Sequence, residues 1–113
     1  MANIYLSAKK DLTAATATTL YTVPSNTRAI VKSLLVSSDN ASDTTITVDL
    51  FDGDPASADK FTLFNVTSIA GNASTQLLTE PLIMLESEIL KVQASSGQVD
   101  VIASILEINR EDR

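Results

Sequence analysis

The last third of the chain consists of two strand-like segments joined by a short turn, and this pattern constrains the fold most. The first segment runs from Leu82 to Ala94 and the second from Val99 to Ile108, with Ser95-Ser96-Gly97-Gln98 between them. Both are rich in aliphatic residues, many of them β-branched, which pack well on a pleated sheet. We predict two long strands here, the first bent at Glu86-Ser87-Glu88 so that it continues as a separate strand, Ile89 to Ala94.

The rest of the chain repeats this pattern of short apolar segments separated by turn residues. Thr44 to Phe51 alternates apolar and polar side chains, so a shift of one residue would expose its whole apolar face. We expect it to pair with Arg28 to Ser38 as an antiparallel hairpin. Leu12 to Thr19 is read as extended structure, with a short helix over Ala14 to Thr19 as the minor alternative. Further strands are predicted at Asn3 to Ser7, Leu20 to Val23, Lys60 to Val66 and Ala73 to Thr79.

Eight or nine short strands with regular turn signals and no convincing helix are typical of a sandwich or a jelly roll. The chain has 113 residues, the usual size of one domain. The sequence therefore predicts an all-β fold, a single antiparallel β-sandwich or jelly-roll-like domain of about eight strands spanning residues 1–113.

Two absent residue types limit the chemistry that this chain can perform. It contains no cysteine and no histidine. Cysteine nucleophiles, Cys/His zinc sites and Ser-His or Cys-His catalytic pairs are therefore excluded. Any catalysis would depend on carboxylates or a bound metal, and no suitable pairing is visible. We predict that the protein is not an enzyme and uses no cofactor.

The charge and the apolar runs indicate which partners are disfavoured. The net charge is −6 and the basic residues are scattered, whereas nucleic-acid binding depends on clustered Lys and Arg. The longest purely apolar run, Leu82 to Leu85, is far too short to span a bilayer. Met1 to Tyr5 lacks the basic and apolar regions of a secretory signal. We expect no contact with nucleic acid or membrane and no export signal.

Acidic residues provide two weak candidate sites. Asp49, Asp52 and Asp54 surround a glycine turn and could supply oxygen ligands to Ca²⁺, but the EF-hand spacing is absent, and a plain acidic loop is the favoured interpretation. Glu80 and the nearby Glu86-Ser87-Glu88 could pair as in glycoside hydrolysis, yet a chain without tryptophan offers no sugar platform. A solvated face is favoured there.

Five residues are candidates for contacts between subunits. Tyr5 and Tyr21 are either contact anchors or core aromatics with the hydroxyl at the rim. In the last predicted strand, Ile102, Leu106 and Ile108 lie on one face, and Val99, Val101, Ala103 and Ile105 lie on the other. Because both faces are apolar, a subunit interface is favoured over a central strand beneath a covering loop.

Arg28 to Ser38 is also apolar on both faces. One face carries Ile30, Lys32, Leu34 and Val36, and the other carries Ala29, Val31, Ser33 and Leu35. This pattern is typical of a central strand or of one covered by a neighbouring subunit.

Three segments resemble small virion proteins of tailed bacteriophages. Leu20 to Val31 resembles the opening strand, turn and strand of those proteins, in which a Tyr-x-Val-Pro strand end meets a short turn. Pro81 to Leu90 and the ending Val99 to Ile108, with its Leu106-Glu107-Ile108 close, resemble the last strands of the same proteins. Together they cover about half of the chain. The resemblance is to a fold signature, so no functional residue transfers with it.

The resemblance implies a non-enzymatic β-sandwich component of the virion, assembled in the host cytoplasm. The expected role is a capsid decoration (cement) subunit that forms a homo-oligomer and contacts the major capsid protein or other virion proteins. A tail, neck or fibre protein is the first alternative. A carbohydrate- or calcium-binding β-sandwich module is the second.

Overall fold

The computed structural model describes residues 3–12, 17–39, 41–53, 59–95 and 98–109, and these residues form nine β-strands and no helix. The strands are β1 (Asn3–Leu12), β2 (Thr18–Thr22), β3 (Thr27–Ser38), β4 (Thr44–Phe51), β5 (Lys60–Ile69), β6 (Ser74–Gln76), β7 (Leu82–Met84), β8 (Ile89–Ala94) and β9 (Val99–Asn109). The predicted all-β, antiparallel sandwich is confirmed. No helix in the described part of the chain is long and apolar enough to cross a membrane.

Two antiparallel sheets face each other. The first sheet has the order β1-β9-β3-β6, and β7 pairs with the same edge of β3 as β6 does, further along that strand. The second sheet has the order β2-β8-β4-β5. Most sequence neighbours therefore lie in opposite sheets, as in jelly-roll folds, whereas β4 and β5 share the second sheet and β6 and β7 share the first.

The core between the sheets is aliphatic, because each strand turns alternate residues inward. Ile46 and Val48 from β4 are fully buried, as are Val99 and Val101 from β9. Burying one such side chain stabilises the fold by about 1.5–3 kcal/mol. The clean alternation in β4 therefore fixes both its register and the face that it buries.

The hairpin predicted between Arg28 to Ser38 and Thr44 to Phe51 is wrong. β3 lies in the first sheet, between β9 and the pair β6 and β7, whereas β4 lies in the second sheet between β8 and β5. The connection between them is longer than the two-residue turns that favour direct hairpins, and it crosses from one sheet to the other. A sequence pattern fixes which face is buried but not which strand is the neighbour.

The two C-terminal strands are correctly located, but they are not paired with each other. β8 pairs with β2 and β4, and β9 pairs with β1 and β3 in the opposite sheet. The backbone amide of Ser95 donates to the carbonyl of Thr45, which holds the end of β8 to the second sheet. The predicted bend at Glu86-Ser87-Glu88 is confirmed, since it separates β7 from β8.

A β-bulge in β3 changes the faces predicted for this strand. The register with β9 shifts between Val31 and Ser33, so Lys32 is the extra residue. Ala29 and Val31 are buried before the bulge, and Leu34 and Val36 after it. The predicted faces, which assumed unbroken alternation, are therefore wrong beyond Val31. A bulge inserts one residue, so the residues after it point to the opposite faces from those that unbroken alternation would give.

Tertiary pairing also changes the ends of several predicted strands. β1 continues through Lys9 and Lys10 to Leu12, because it pairs with β9 along its whole length. β5 extends to Ile69, three residues past its predicted end at Val66, whereas β6 is confined to Ser74–Gln76. Part of the Leu12 to Thr19 segment lies outside the described residues.

Candidate subunit interface

The outer face of the first sheet carries the predicted interface residues of the last strand. Val99, Val101, Ala103 and Ile105 of β9 are buried against the second sheet, so the alternate residues Ile102, Leu106 and Ile108 point away from it. These three side chains remain partly exposed. The predicted division of this strand into two apolar faces is thus confirmed.

Cross-strand pairing brings apolar side chains from four strands into one line on this face. Leu106 of β9 pairs with Tyr5 of β1 and with Ile30 of β3, and Ile30 pairs in turn with Ile83 of β7. Paired residues share a face, so these four residues form a continuous row, here called the apolar row. Tyr5 is 75% exposed and Ile83 is 57% exposed. Large apolar side chains therefore face solvent together, in contiguous positions.

Two further rows follow along the strands. Ser7, Ser104 and Ser33 pair across β1, β9 and β3, and they form the serine row. Beyond it, Ile102 pairs with Lys9 and with Leu35, which makes a second apolar strip. Because serine is small, the serine row lies in a furrow between two larger rows.

The furrow is seen as an open depression of about 420 Å³ beside the bulge. Tyr5, Ser7, Lys32 and Ser104 line it, together with Leu6 and Ile105. The depression is therefore lined by two serine hydroxyls, an aromatic ring and a lysine side chain.

Opposite charges occupy the two ends of this face. At one end, Arg28 pairs with Ile108 and is exposed. At the other end, Asp11 of β1 pairs directly with Asp100 of β9. Partial burial, the hydrogen bond and charge of Asp11, and the charge of Asp39 raise the pKa of Asp100 above its ordinary value. Two carboxyls directly opposite each other in a ladder destabilise the pairing when both are ionised.

The outer face of the second sheet has a different character. Its central pairs are polar, with Thr47 beside Gln93 and Asp49 beside Lys91. Phe51 is the main aromatic residue there, and the Lys91 Nζ atom lies 5.9 Å from the centre of its ring. The large exposed apolar side chains of this sheet, Phe61 and Val66, lie on its edge strand β5, whereas the apolar row of the first sheet crosses the central strands β9 and β3.

Tyr21, the other tyrosine proposed as a contact, lies inside the sandwich. It is 9% exposed, and its hydroxyl donates a hydrogen bond to a carboxylate oxygen of Glu107. Tyr21 belongs to β2 in the second sheet and Glu107 to β9 in the first, so the bond links the two sheets. This is the placement of a core aromatic with its hydroxyl at the rim.

The acidic residues proposed as calcium ligands are only partly described. Asp49 projects from the outer face of β4, and its Oδ1 atom is buried without a hydrogen bond to any other described residue. Asp52 follows β4 and is exposed, and Asp54 lies outside the described residues. No group of three acidic, His or Cys side chains among the described residues could hold a metal ion. Metal binding stays a prediction.

The structure gathers Tyr5, Ile102, Leu106 and Ile108 on one outer face, and their contact with another subunit stays a prediction. Sequence reasoning missed three apolar members of this face, Ile30, Leu35 and Ile83. The apolar pattern on both sides of β3 was the signal for Ile30. Ile83 gave no such signal, because only its pairing with Ile30 places it in the row.

No protein-family model and no curated protein sequence matches this chain. Solved structures with similar folds do exist. A chain of the T13 IBDV viral particle matches with a TM-score of 0.59 at 7% identity, covering 93% of this chain and 30% of that chain. A chain of the infectious bursal disease virus VP2 subviral particle matches with a TM-score of 0.56 at 8% identity, covering 97% of this chain and 34% of that chain.

A bacterial structure is also similar. A chain of the Bacillus endospore appendages, which form disulfide-linked pili, matches with a TM-score of 0.54 at 12% identity, covering 95% of this chain and 88% of that chain.

This chain spans about a third of the length of the two viral chains. The similarities show that it has a β fold of the type found in viral particles.

Proposed function

We propose that this protein is a non-enzymatic structural component of a virion, and that it acts by repeated contacts between copies of itself and with other virion proteins. The observation that carries the proposal is the exposed apolar face of the first sheet. Aromatic and aliphatic side chains collected on one face are typical of the centre of a protein interface.

Three features support a structural role. The chain lacks histidine and cysteine, so the common nucleophilic and zinc-dependent mechanisms are closed to it. Its fold resembles chains of viral particles. Its sequence resembles small virion proteins of tailed bacteriophages in the segments around Tyr21 and in the last strands. All three features point to the same role.

Within the virion, we favour a capsid decoration (cement) subunit. The apolar face would associate with sister subunits, and the loops after β3 and β4 would rest on the capsid lattice. Many weak contacts repeated by symmetry add up through avidity. Such a protein stabilises the particle without needing any strong individual site.

A tail, neck or fibre component is the alternative. The observation that favours it is the similarity to a chain of pilus-forming appendages, most of whose length is covered. This chain has no cysteine, so it cannot form the disulfide links of those pili. Any filament would have to be held by non-covalent contacts alone.

The test measures copy number and rebinding. Particles that contain the protein are purified, stripped of it and mixed again with the recombinant chain. A decoration subunit is expected to rebind in hundreds of copies per particle, and a tail or neck protein in a few to dozens (expectations from the resemblance). Leu106→Lys tests the apolar face, with Thr62→Lys on the outer face of β5 as the matched control. If the pure protein neither self-associates nor rebinds, the proposal is wrong.

A further inference from the structure

We propose that the outer face of the first sheet binds a second copy of this chain face to face, about a two-fold axis that crosses the strands along the serine row. The inference rests on the proposed function, since it names the partner of the same face. It adds the orientation of the two copies and the residues that meet.

In β9 and β3, the three central rows of this face read the same in both directions along the strands. The serine row is in the middle, and an apolar row lies on each side of it. Beyond the apolar rows the face ends in opposite charges. Each row has one residue from β1, one from β9 and one from β3, named here in that order. The rows are Asn3, Ile108 and Arg28; Tyr5, Leu106 and Ile30; Ser7, Ser104 and Ser33; Lys9, Ile102 and Leu35; and Asp11, Asp100 and Ser37.

A two-fold axis along the serine row makes this pattern self-complementary. Rotation about that axis reverses the strand direction but keeps each strand opposite its own equivalent. Leu106 then lies over Ile102 of the second copy, and Ile30 lies over Leu35 of the second copy. The serine row meets itself at the axis, where small side chains let the two apolar strips on either side come together. An interface of this type is isologous, with each contact made twice.

The charges select the same orientation. The axis across the strands places Arg28 of each copy over Ser37 of the other, one strand away from the Asp100 carboxyl of that copy. An axis parallel to the strands along β9 would instead bring Asp100 beside Asp100, and one along β3 would bring Arg28 beside Arg28. The Asp11 and Asp100 carboxyls repel each other within one chain. A cation from a second copy would therefore reduce a repulsion that is already present in the folded monomer.

The size of the face predicts a weak, reversible dimer. With side chains on one face about 6.8 Å apart and strands about 4.8 Å apart, five rows across three to four strands cover roughly 500–650 Å² of projected area. Standard interfaces bury about 800 Å² per partner. The pairing would therefore depend on concentration in solution and become stable where a larger assembly holds many copies together.

Lys32 gives the orientation a distinctive signature. Its side chain is exposed and lines the furrow at the axis, so two copies bring two ammonium groups close together. Lys32→Gln is therefore expected to strengthen association several-fold, although it removes a cation from an acidic protein. Away from the axis, the loss of a cation would weaken association instead.

Chemical cross-linking from a single position tests the face-to-face pairing, because the native chain has no cysteine. Ser104 lies on the axis in the central strand β9 and is exposed, so Ser104→Cys places the thiols of two copies opposite each other. Facing sheets lie about 10 Å apart, beyond the Cα separation of about 5.5–6 Å that a direct disulfide needs. A short bis-methanethiosulfonate reagent is therefore used. Ser68→Cys, exposed on β5 of the second sheet, is the matched control.

The expected result is a cross-linked dimer from Ser104→Cys in at least severalfold higher yield than from Ser68→Cys. Arg28→Glu is expected to weaken this dimer by roughly tenfold, because each copy then presents like charges to the other. The double variant Arg28→Glu with Asp100→Arg is expected to recover it. Melting curves of each variant confirm that the fold is intact.

Three other outcomes overturn the inference, and they are distinguishable. If Ser104→Cys does not cross-link above the control while the protein still forms oligomers or rebinds particles, the two-fold pairing is wrong and the proposed function stands. If the protein remains monomeric at every concentration and does not rebind particles, both are wrong. Association unaffected by the charge exchange would also refute the orientation.

Discussion

The hydrogen bond between Tyr21 and Glu107 is expected to contribute measurably to stability, because it links the two sheets across the core. Tyr21→Phe removes the hydroxyl and leaves the ring in place. A hydrogen bond to a charged group contributes about 1.5–3 kcal/mol, and water can replace part of it because Glu107 is only half-buried. We therefore expect a loss of about 1–2 kcal/mol in the free energy of unfolding at neutral pH, or about 4–8 °C in Tm for a chain of this size.

Tyr21→Phe is also expected to change how the free energy of unfolding depends on pH in the alkaline range. Burial, followed by the hydrogen bond and the charge of Glu107, raises the pKa of Tyr21 above its ordinary value of about 10. The folded state thus retains the phenol proton more tightly than the unfolded state. The contribution is fully present below pH 10 and is lost as the pH rises towards the folded-state pKa. Tyr21→Phe should show a smaller loss of stability above pH 10 than the native chain.

Denaturant unfolding at pH 7 and pH 10.5 measures both effects. Tyr5→Phe is the matched control, since Tyr5 is exposed on the outer face. A double-mutant cycle with Glu107→Gln isolates the pair. If Tyr21→Phe is within about 0.5 kcal/mol of the native chain, the scatter of ordinary surface substitutions, the bond does not hold the sheets together.

Three further predictions concern single sites. Val66 is exposed at a bulge in β5 with φ of 49°, where a β-carbon costs about 1–2 kcal/mol, so Val66→Gly should stabilise the chain relative to Val66→Ala in denaturant unfolding. The raised pKa of Asp100 means that ionisation destabilises the folded state as the pH rises through the acid range; Asp100→Asn should raise Tm at pH 7, with the difference fading near pH 3. Calcium at millimolar concentration should leave Tm unchanged if Asp49 and Asp52 belong to an ordinary acidic loop; a clear rise would indicate binding to the folded state.

The positions of the strands could be predicted because periodicity is a local property. The alternation in Thr44 to Phe51 reflects one buried face, and the structure buries that face. The pairing of strands could not be predicted in the same way. Nothing local to β3 and β4 shows that they belong to opposite sheets, since both patterns are satisfied equally well in a hairpin and in a sandwich.

In the candidate interface too, residues selected by local periodicity could be predicted, and residues placed by strand pairing could not. The two apolar faces of β9 are visible in the sequence, so Ile102, Leu106 and Ile108 could be selected. Ile83 could not be selected, because it joins the apolar row only through its pairing with Ile30 of β3, and the sequence does not show that pairing. The bulge at Lys32 also escapes prediction: one inserted residue reverses the phase of β3 without any change in composition.

The most direct test of the account is the molar mass of the purified protein as a function of concentration, by light scattering after size exclusion. The account predicts that the mass rises above that of one chain as concentration increases, and that Leu106→Lys returns it to one chain while Thr62→Lys does not. A strict monomer at all concentrations, or association that survives Leu106→Lys unchanged, would contradict the claim that the apolar face of the first sheet is where copies of this chain meet.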